Sequence, residues 1–269
     1  MFDLVEKGGV RYLRSTNIKS IHGFSTRVGG VSTMEHTKHL NLAFGRGEDD
    51  ATVLQNVKLF ADAVGVDADK IISVPQVHSN EVRLVCESDA GEGVSRRATF
   101  SCDGYYTQAI GLPIAVKTAD CVPILLEARD GHGEAVAVSA VHAGWRGTAM
   151  KIVGVAVDKL CELGVEPTNI YVAIGPCINE CCYEVGEDFP NQIKEKLGQS
   201  YENKFIKRKE NGSLFADLVG MNLEILKSRG VPMDNIDASG LCTFCDAELF
   251  YSHRRQNGIR GSLMSVISK

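Results

Sequence analysis

Two residues able to ligate a soft metal, or to act together as nucleophile and base, stand at corresponding ends of two apolar runs. They are Cys121 and His142, within VKTADCVPILLEARDGHGEAVAVSAVHAGWRGT at residues 116–148. Val122 to Ala128 is branched and apolar, Arg129-Asp-Gly-His-Gly133 supplies turn residues, and Glu134 to Val141 alternates small and branched side chains. That pattern predicts a β-hairpin. In an antiparallel pair the residue before one strand lies opposite the residue after its partner, so Cys121 and His142 are expected to face each other across the open end. A thiolate and an imidazole placed so allow metal ligation, or thiol hydrolysis with His142 as base for Cys121.

The elements around this pair suggest an anion site. Gly144-Trp-Arg-Gly-Thr148 leads into Ala149, Ile152, Val153, Ala156, Val157, Leu160 and Leu163, spaced as on one amphipathic helix. Its first turn would offer free N–H groups and a positive dipole end beside Arg146. Near the N-terminus, Ser25-Thr-Arg-Val-Gly-Gly-Val-Ser32 follows a short strand and offers Arg27, Gly29, Gly30 and Ser32 as a phosphate cradle, or reads as a plain turn with a solvated Arg27. His78 lies between two strand-like runs, Ile71 to Val74 and Val82 to Val85, again at an element boundary. Val53, Val57, Leu59, Phe60 and Val64 form the stripe of a helix that starts after Asp49-Asp50, and Asp217 to Leu226 forms another.

With 269 residues, 44% hydrophobic and 23% charged, the chain is long and apolar enough for one large domain or two small ones with a sizeable core. A net charge of -5 argues against a dedicated nucleic-acid or anionic-membrane surface. No apolar run has signal-peptide or membrane-spanning length, so a cytoplasmic protein is expected, and a monomer. Nine cysteines, an odd number, in a chain of this size favour reduced thiols and metal ligation over a disulfide framework. Cys242 and Cys245 form a CxxC that Cys177, Cys181 or Cys182 would complete as a zinc knuckle; a single CxxC is a weak signal, and its loop reads as an ordinary tight turn.

Taken together, HGFSTRVGGVS, PQVHS, CDGYYT, TADCVPIL, HAGWRGT, IGPCI with YEVG, and LCTFCDAELFYSHRR resemble the YfiH-like family, long labelled polyphenol oxidoreductase or laccase-domain proteins. The resemblance runs from about His22 to about Arg255. It implies a single α/β domain over residues 1–269, a layered mixed-sheet α/β/α sandwich, holding zinc through His78, Cys121 and His142, with copper as another possible metal. It also implies phosphorolysis of adenosine, inosine, guanosine and methylthioadenosine, with hydrolytic deamination of adenosine; purine nucleosides and phosphate are then the partners. Some members are instead linked to editing of peptidoglycan precursors. Two departures stand out: Val57 follows Asn56 where the family more often has arginine, and the tail Gly258-Ile-Arg-Gly-Ser262 displaces Arg260 by two places, so contacts by Arg254 and Arg260 are not carried over.

Two imidazoles and a thiolate leave a fourth zinc position for water or substrate, the pattern of a catalytic site, and predict about one zinc per chain. A water activated there can attack C6 of adenine while a nearby carboxylate moves the protons. Asp120, next to Cys121, is the candidate, either for that role or to orient His78 or His142 by a hydrogen bond. Arg27, Gly29, Gly30, Ser32 and Arg146 would hold phosphate beside the sugar. A multicopper oxidase needs many histidines arranged largely as H-x-H pairs, and seven histidines with no H-x-H do not supply them.

Overall fold

Strand alternation sorts the apolar side chains onto the faces of two stacked sheets. The computed structural model describes residues 1–269. In chain order its strands are β1 (Phe2–Lys7), β2 (Val10–Ser15), β3 (Ile21–Ser25), β4 (Val82–Leu84), β5 (Gly104–Thr107), β6 (Ile114–Thr118), β7 (Val122–Arg129) and β8 (Ala135–Ala143). There follow β9 (Ile170–Ile174), β10 (Glu184–Val185), β11 (Ile206–Arg208), β12 (Leu214–Ala216), β13 (Ile236–Ala238) and β14 (Leu263–Ser268). The helices are α1 (Asp50–Val64), α2 (Trp145–Ala149), α3 (Ile152–Cys161), α4 (Phe189–Leu197), α5 (Gln199–Phe205) and α6 (Leu218–Ser228).

One sheet has the order β1-β2-β3-β14-β6, the other β13-β9-β7-β8-β5-β4, and β10-β12-β11 form a small third. The larger sheet is mixed, since β13–β9 and β4–β5 run parallel and its other pairs antiparallel. Phe24, Ile114 and Val116 of the first sheet pack against Tyr105, Leu125, Val138 and Ala140 of the second. On the second sheet's other face, Val122, Ile124, Leu126 and Val141 meet Ile152, Val153 and Val157 of α3 and Met221 and Ile225 of α6. The first sheet's outer face is covered by Val53, Val57 and Phe60 of α1. The result is the expected layered mixed-sheet sandwich, with two stacked sheets as its middle. No helix is long and apolar enough to cross a membrane.

The α1 stripe is as predicted: Asp49 caps it by accepting from the Thr52 N–H, and Gly65 ends it at φ 97°. Val57, where arginine was the family expectation, is a buried member of this stripe. Burying each of Val53, Val57 and Phe60 stabilises the layer by about 1.5–3 kcal/mol.

Three expectations are corrected. Ile71–Val74 is no strand; its one ladder contact is a bridge from Ile72 to Ile114. The helix after Trp145 is broken, because Lys151 sits at φ 59° between α2 and α3. The β7–β8 hairpin forms, but Pro123 pairs with His142 and Val122 with Ala143. Cys121 is therefore diagonal to His142 on the same face of the sheet, two residues along from its direct partner.

Candidate functional site

The ligand atoms of His78, Cys121 and His142 all lie within 4.8 Å of one another. His142 comes from the end of β8 and Cys121 from the residue before β7. His78 comes from the segment Pro75–His78, which docks on β6 because the Gln76 amide accepts from the Lys117 N–H at 2.7 Å and donates to the Lys117 carbonyl at 2.8 Å. The rings of His78 and His142 stand edge to face, with centroids 4.9 Å apart. Gly144 is needed for this approach: a Cβ there would come within 2.8 Å of the His78 ring and 3.3 Å of the Cys121 sulfur.

One carboxylate organises the cluster, and it is Asp103. Its Oδ1 accepts from His142 Nδ1 at 2.8 Å and from the His78 N–H at 2.9 Å; its Oδ2 accepts from the N–H groups of Val77 and Ser79 and from the Ser79 hydroxyl. With Nδ1 so engaged, His142 has Nε2 free to ligate. Three successive amides on one carboxylate also hold His78 at φ 60°, a left-handed conformation unusual outside glycine. Burial opposes ionisation of Asp103, yet the bonds from His142 and Ser79 hold its carboxyl down to about 2. Burial likewise pushes the Cys121 thiol up, but the charge and hydrogen bonds of His142 and then His78 bring it down to about 6. His142, which burial would lower, is raised to about 9 by Cys121 and Asp103. At neutral pH these shifts favour a Cys121 thiolate beside a His142 imidazolium, and only the imidazolium has a proton to give up when a metal binds.

His78, Cys121 and His142 open into a cavity of about 850 Å³. Its walls bring in five cations, Arg46, Arg96, Arg97, Lys117 and Arg260, against one acid, Asp50. Arg46 and Arg260 each leave a buried Nε without a partner. Burial and the charge of Arg46 lower Lys117 to about 8 and Arg260 to about 10. Such a concentration of under-satisfied positive charge favours a bound anion. Phe44 lies in the same wall, a flat apolar surface beside the charges.

The residues expected to supply the cradle and the proton carrier stand elsewhere. Arg27 donates to the carbonyls of Ala247 and Lys38 and lies 4.7 Å over the Tyr251 ring, so it ties loops together. Gly29 and Gly30 are glycines because backbone crosses close by: a Cβ would fall 2.2 Å from the Gly9 carbonyl or the His39 carbonyl. The neighbouring Val31 N–H donates to Asn56, and the Ser32 hydroxyl donates to Glu48. Arg146 is exposed and stacks on Trp145, outside the cavity lining. Asp120, at φ 91°, accepts from the hydroxyls of Thr243 and Ser252 and from the Arg254 N–H, with neither histidine among its partners. The orienting role expected of Asp120 belongs to Asp103. Asp103 was present in the CDGYYT motif, but only the packing of β5 beside β8 brings it to His142.

Residues 21–269 match the family described as multi-copper polyphenol oxidoreductase laccase. The chain belongs to this family. It is 34% identical over 93% of its length to 90% of purine nucleoside phosphorylase YlmD of Geobacillus stearothermophilus. It is 33% identical over 89% of its length to 90% of adenosine deaminase RL5 from an unknown prokaryotic organism. Among solved structures, YfiH of Bacillus licheniformis superposes with a TM-score of 0.89 at 31% identity, covering 99% of this chain and 98% of that one. YlmD of G. stearothermophilus gives 0.88 at 31% identity, covering 100% and 98%.

In this laccase-family chain, two of the five histidines outside the triad are held by hydrogen bonds elsewhere. His22 accepts from the Ser15 N–H and pairs with the Ser20 carbonyl, and His36 pairs with the Arg46 carbonyl. The other group with metal-ligand spacing is made of cysteines alone: Cys181, Cys182, Cys242 and Cys245, their sulfurs all within 4.8 Å of one another. The tight turn expected at the CxxC therefore faces a second cysteine pair.

Proposed function

We propose that the protein is a zinc-dependent purine nucleoside enzyme, a phosphorylase for adenosine, inosine, guanosine and methylthioadenosine that also deaminates adenosine in the same cavity. The observation that carries this reading is that an open three-ligand cluster and a set of under-satisfied cations line one cavity. The names of two relatives, a purine nucleoside phosphorylase and an adenosine deaminase, support it.

The donor set fits zinc: two imidazoles and one thiolate of borderline softness, one imidazole locked by Asp103 with its second nitrogen free. Held by His78, Cys121 and His142, zinc would supply Lewis acidity and lower the pKa of a water molecule. Cavity residues do the rest. Arg46, Lys117 and Arg260 hold phosphate by charge-assisted hydrogen bonds, and Phe44 offers a face for the purine. In phosphorolysis a phosphate oxygen bonds to C1′ as the C1′–N9 bond breaks, giving free base and ribose 1-phosphate. In deamination water adds at C6 and ammonia leaves. Only the first reaction needs the cations.

The test is chromatography of adenosine incubated with the metal-loaded protein, with and without phosphate. Adenine release that requires phosphate, alongside inosine formation that does not, is the expected result. No turnover of any purine nucleoside by zinc-loaded protein would overturn the reading. A rival, hydrolysis by Cys121 with His142 as base, draws on the thiol held at about 6. It predicts full activity after chelation and loss on thiol alkylation; the zinc reading predicts loss on chelation and recovery with added zinc.

A further inference from the structure

Two loops, 177–182 and 242–245, meet beside the site and bring four cysteines together from a sequence separation of about sixty residues. They are joined by a short parallel bridge between Cys177 and Cys242, with the Thr243 N–H donating to the Cys177 carbonyl at 2.9 Å. All nine cysteines of the chain are free thiols. The Cys181 and Cys245 sulfurs are 3.8 Å apart, and those of Cys182 and Cys245 3.4 Å. Zinc–sulfur bonds of about 2.3 Å in a tetrahedron put neighbouring sulfurs about 3.8 Å apart, whereas a disulfide requires about 2.05 Å. The Asn179 N–H points at the Cys242 sulfur at 3.5 Å, a donor suited to a thiolate. Four soft ligands leave no open position, so the chemistry is that of a structural site rather than a catalytic one.

We propose that Cys181, Cys182, Cys242 and Cys245 bind a second zinc ion as a closed four-thiolate site that clamps these two loops together. Both loops are anchored on the residue preceding Cys121. The Ile178 N–H donates to the Asp120 carbonyl at 2.9 Å, and the Thr243 hydroxyl donates to the Asp120 carboxylate at 2.6 Å. The clamp therefore fixes the turn that presents Cys121, and explains how Asp120 is held at a positive φ. Zinc binding here contributes to folding directly, since the unfolded chain has no preformed site.

The decisive protein is the full-length Cys121→Ser variant, purified reduced from zinc-supplemented medium, because it leaves all four of these cysteines in place. It should retain one zinc per chain, with an X-ray absorption first shell of sulfur alone. Adding Cys182→Ser should remove that zinc, and should also lower the thermal midpoint relative to Cys121→Ser alone. Should the double variant fail to fold, the sulfur-only shell of Cys121→Ser decides the matter. A folded Cys121→Ser protein without zinc, a zinc shell containing nitrogen, or a Cys182–Cys245 disulfide in its non-reduced peptide map would each overturn the proposal.

Discussion

The two cysteine-bearing clusters lie close together and differ in every feature that separates chemistry from scaffolding. His78, Cys121 and His142 are mixed ligands, braced by a buried carboxylate, with room for a fourth partner and a cavity in front. The four-cysteine group is uniform, saturates a tetrahedron by itself and belongs to two loops outside the cavity lining. What places a metal at work is thus the bracing and the space around it rather than the number of ligands. Asp103 ties one cluster to the end of the larger sheet, whereas Asp120 ties the loops of the other to the turn before Cys121.

The sharpest way to break this contrast is to remove one sulfur from the open cluster. Cys121→Ser should lower nucleoside turnover by about 1,000-fold or more, the rate equivalent of several kcal/mol of Lewis-acid stabilisation, with the folded state preserved. Steady-state assays with circular dichroism check this; near-normal turnover in the variant would erase the distinction. Next in size is Asp103→Asn, which removes the charge that receives His142 and three amides. Zinc affinity measured by competition with a chromogenic chelator should fall by about 10- to 100-fold.

A smaller effect follows from pH. Burial and Arg46 bring Lys117 to about 8, so its charge is present below that pH and lost above it. The charged fraction falls by about tenfold between pH 7 and pH 9, and the KM for phosphate should rise accordingly while the KM for nucleoside changes little. The least effect on chemistry is expected from Arg27→Ala. It should cost about 0.5–1.5 kcal/mol of stability, since both of its bonds are exposed and the Lys38 carbonyl still accepts from the Tyr251 hydroxyl, with the ratio of adenine to inosine produced from adenosine unchanged.

Much of this was legible in local pattern. The β7–β8 hairpin, the α1 stripe after Asp49 and the strand ends bearing Cys121 and His142 follow from periodicity and turn residues, whereas His78 stands in an irregular segment and joins them only through the family resemblance. The cation-lined cavity was not, because Arg46, Lys117 and Arg260 are separated by long stretches of chain and meet only when β14 inserts between β3 and β6. Gly29 and Gly30 misled for a physical reason: glycine serves close backbone packing as readily as phosphate binding, and the sequence does not distinguish them. Asp103 and Asp120 are a similar pair, each beside an apolar strand, and only the tertiary partners of each carboxylate separate their roles.

The central claim is that the open cluster and the cations share one cavity but serve separable steps. It is tested most directly by giving adenosine and phosphate to Lys117→Met and quantifying adenine and inosine from the same reaction. The loss of one charged hydrogen-bond donor should cut adenine release by about 10- to 100-fold and leave inosine formation within about twofold of the parent protein. A parallel fall in both products, or unchanged adenine release, would contradict the account.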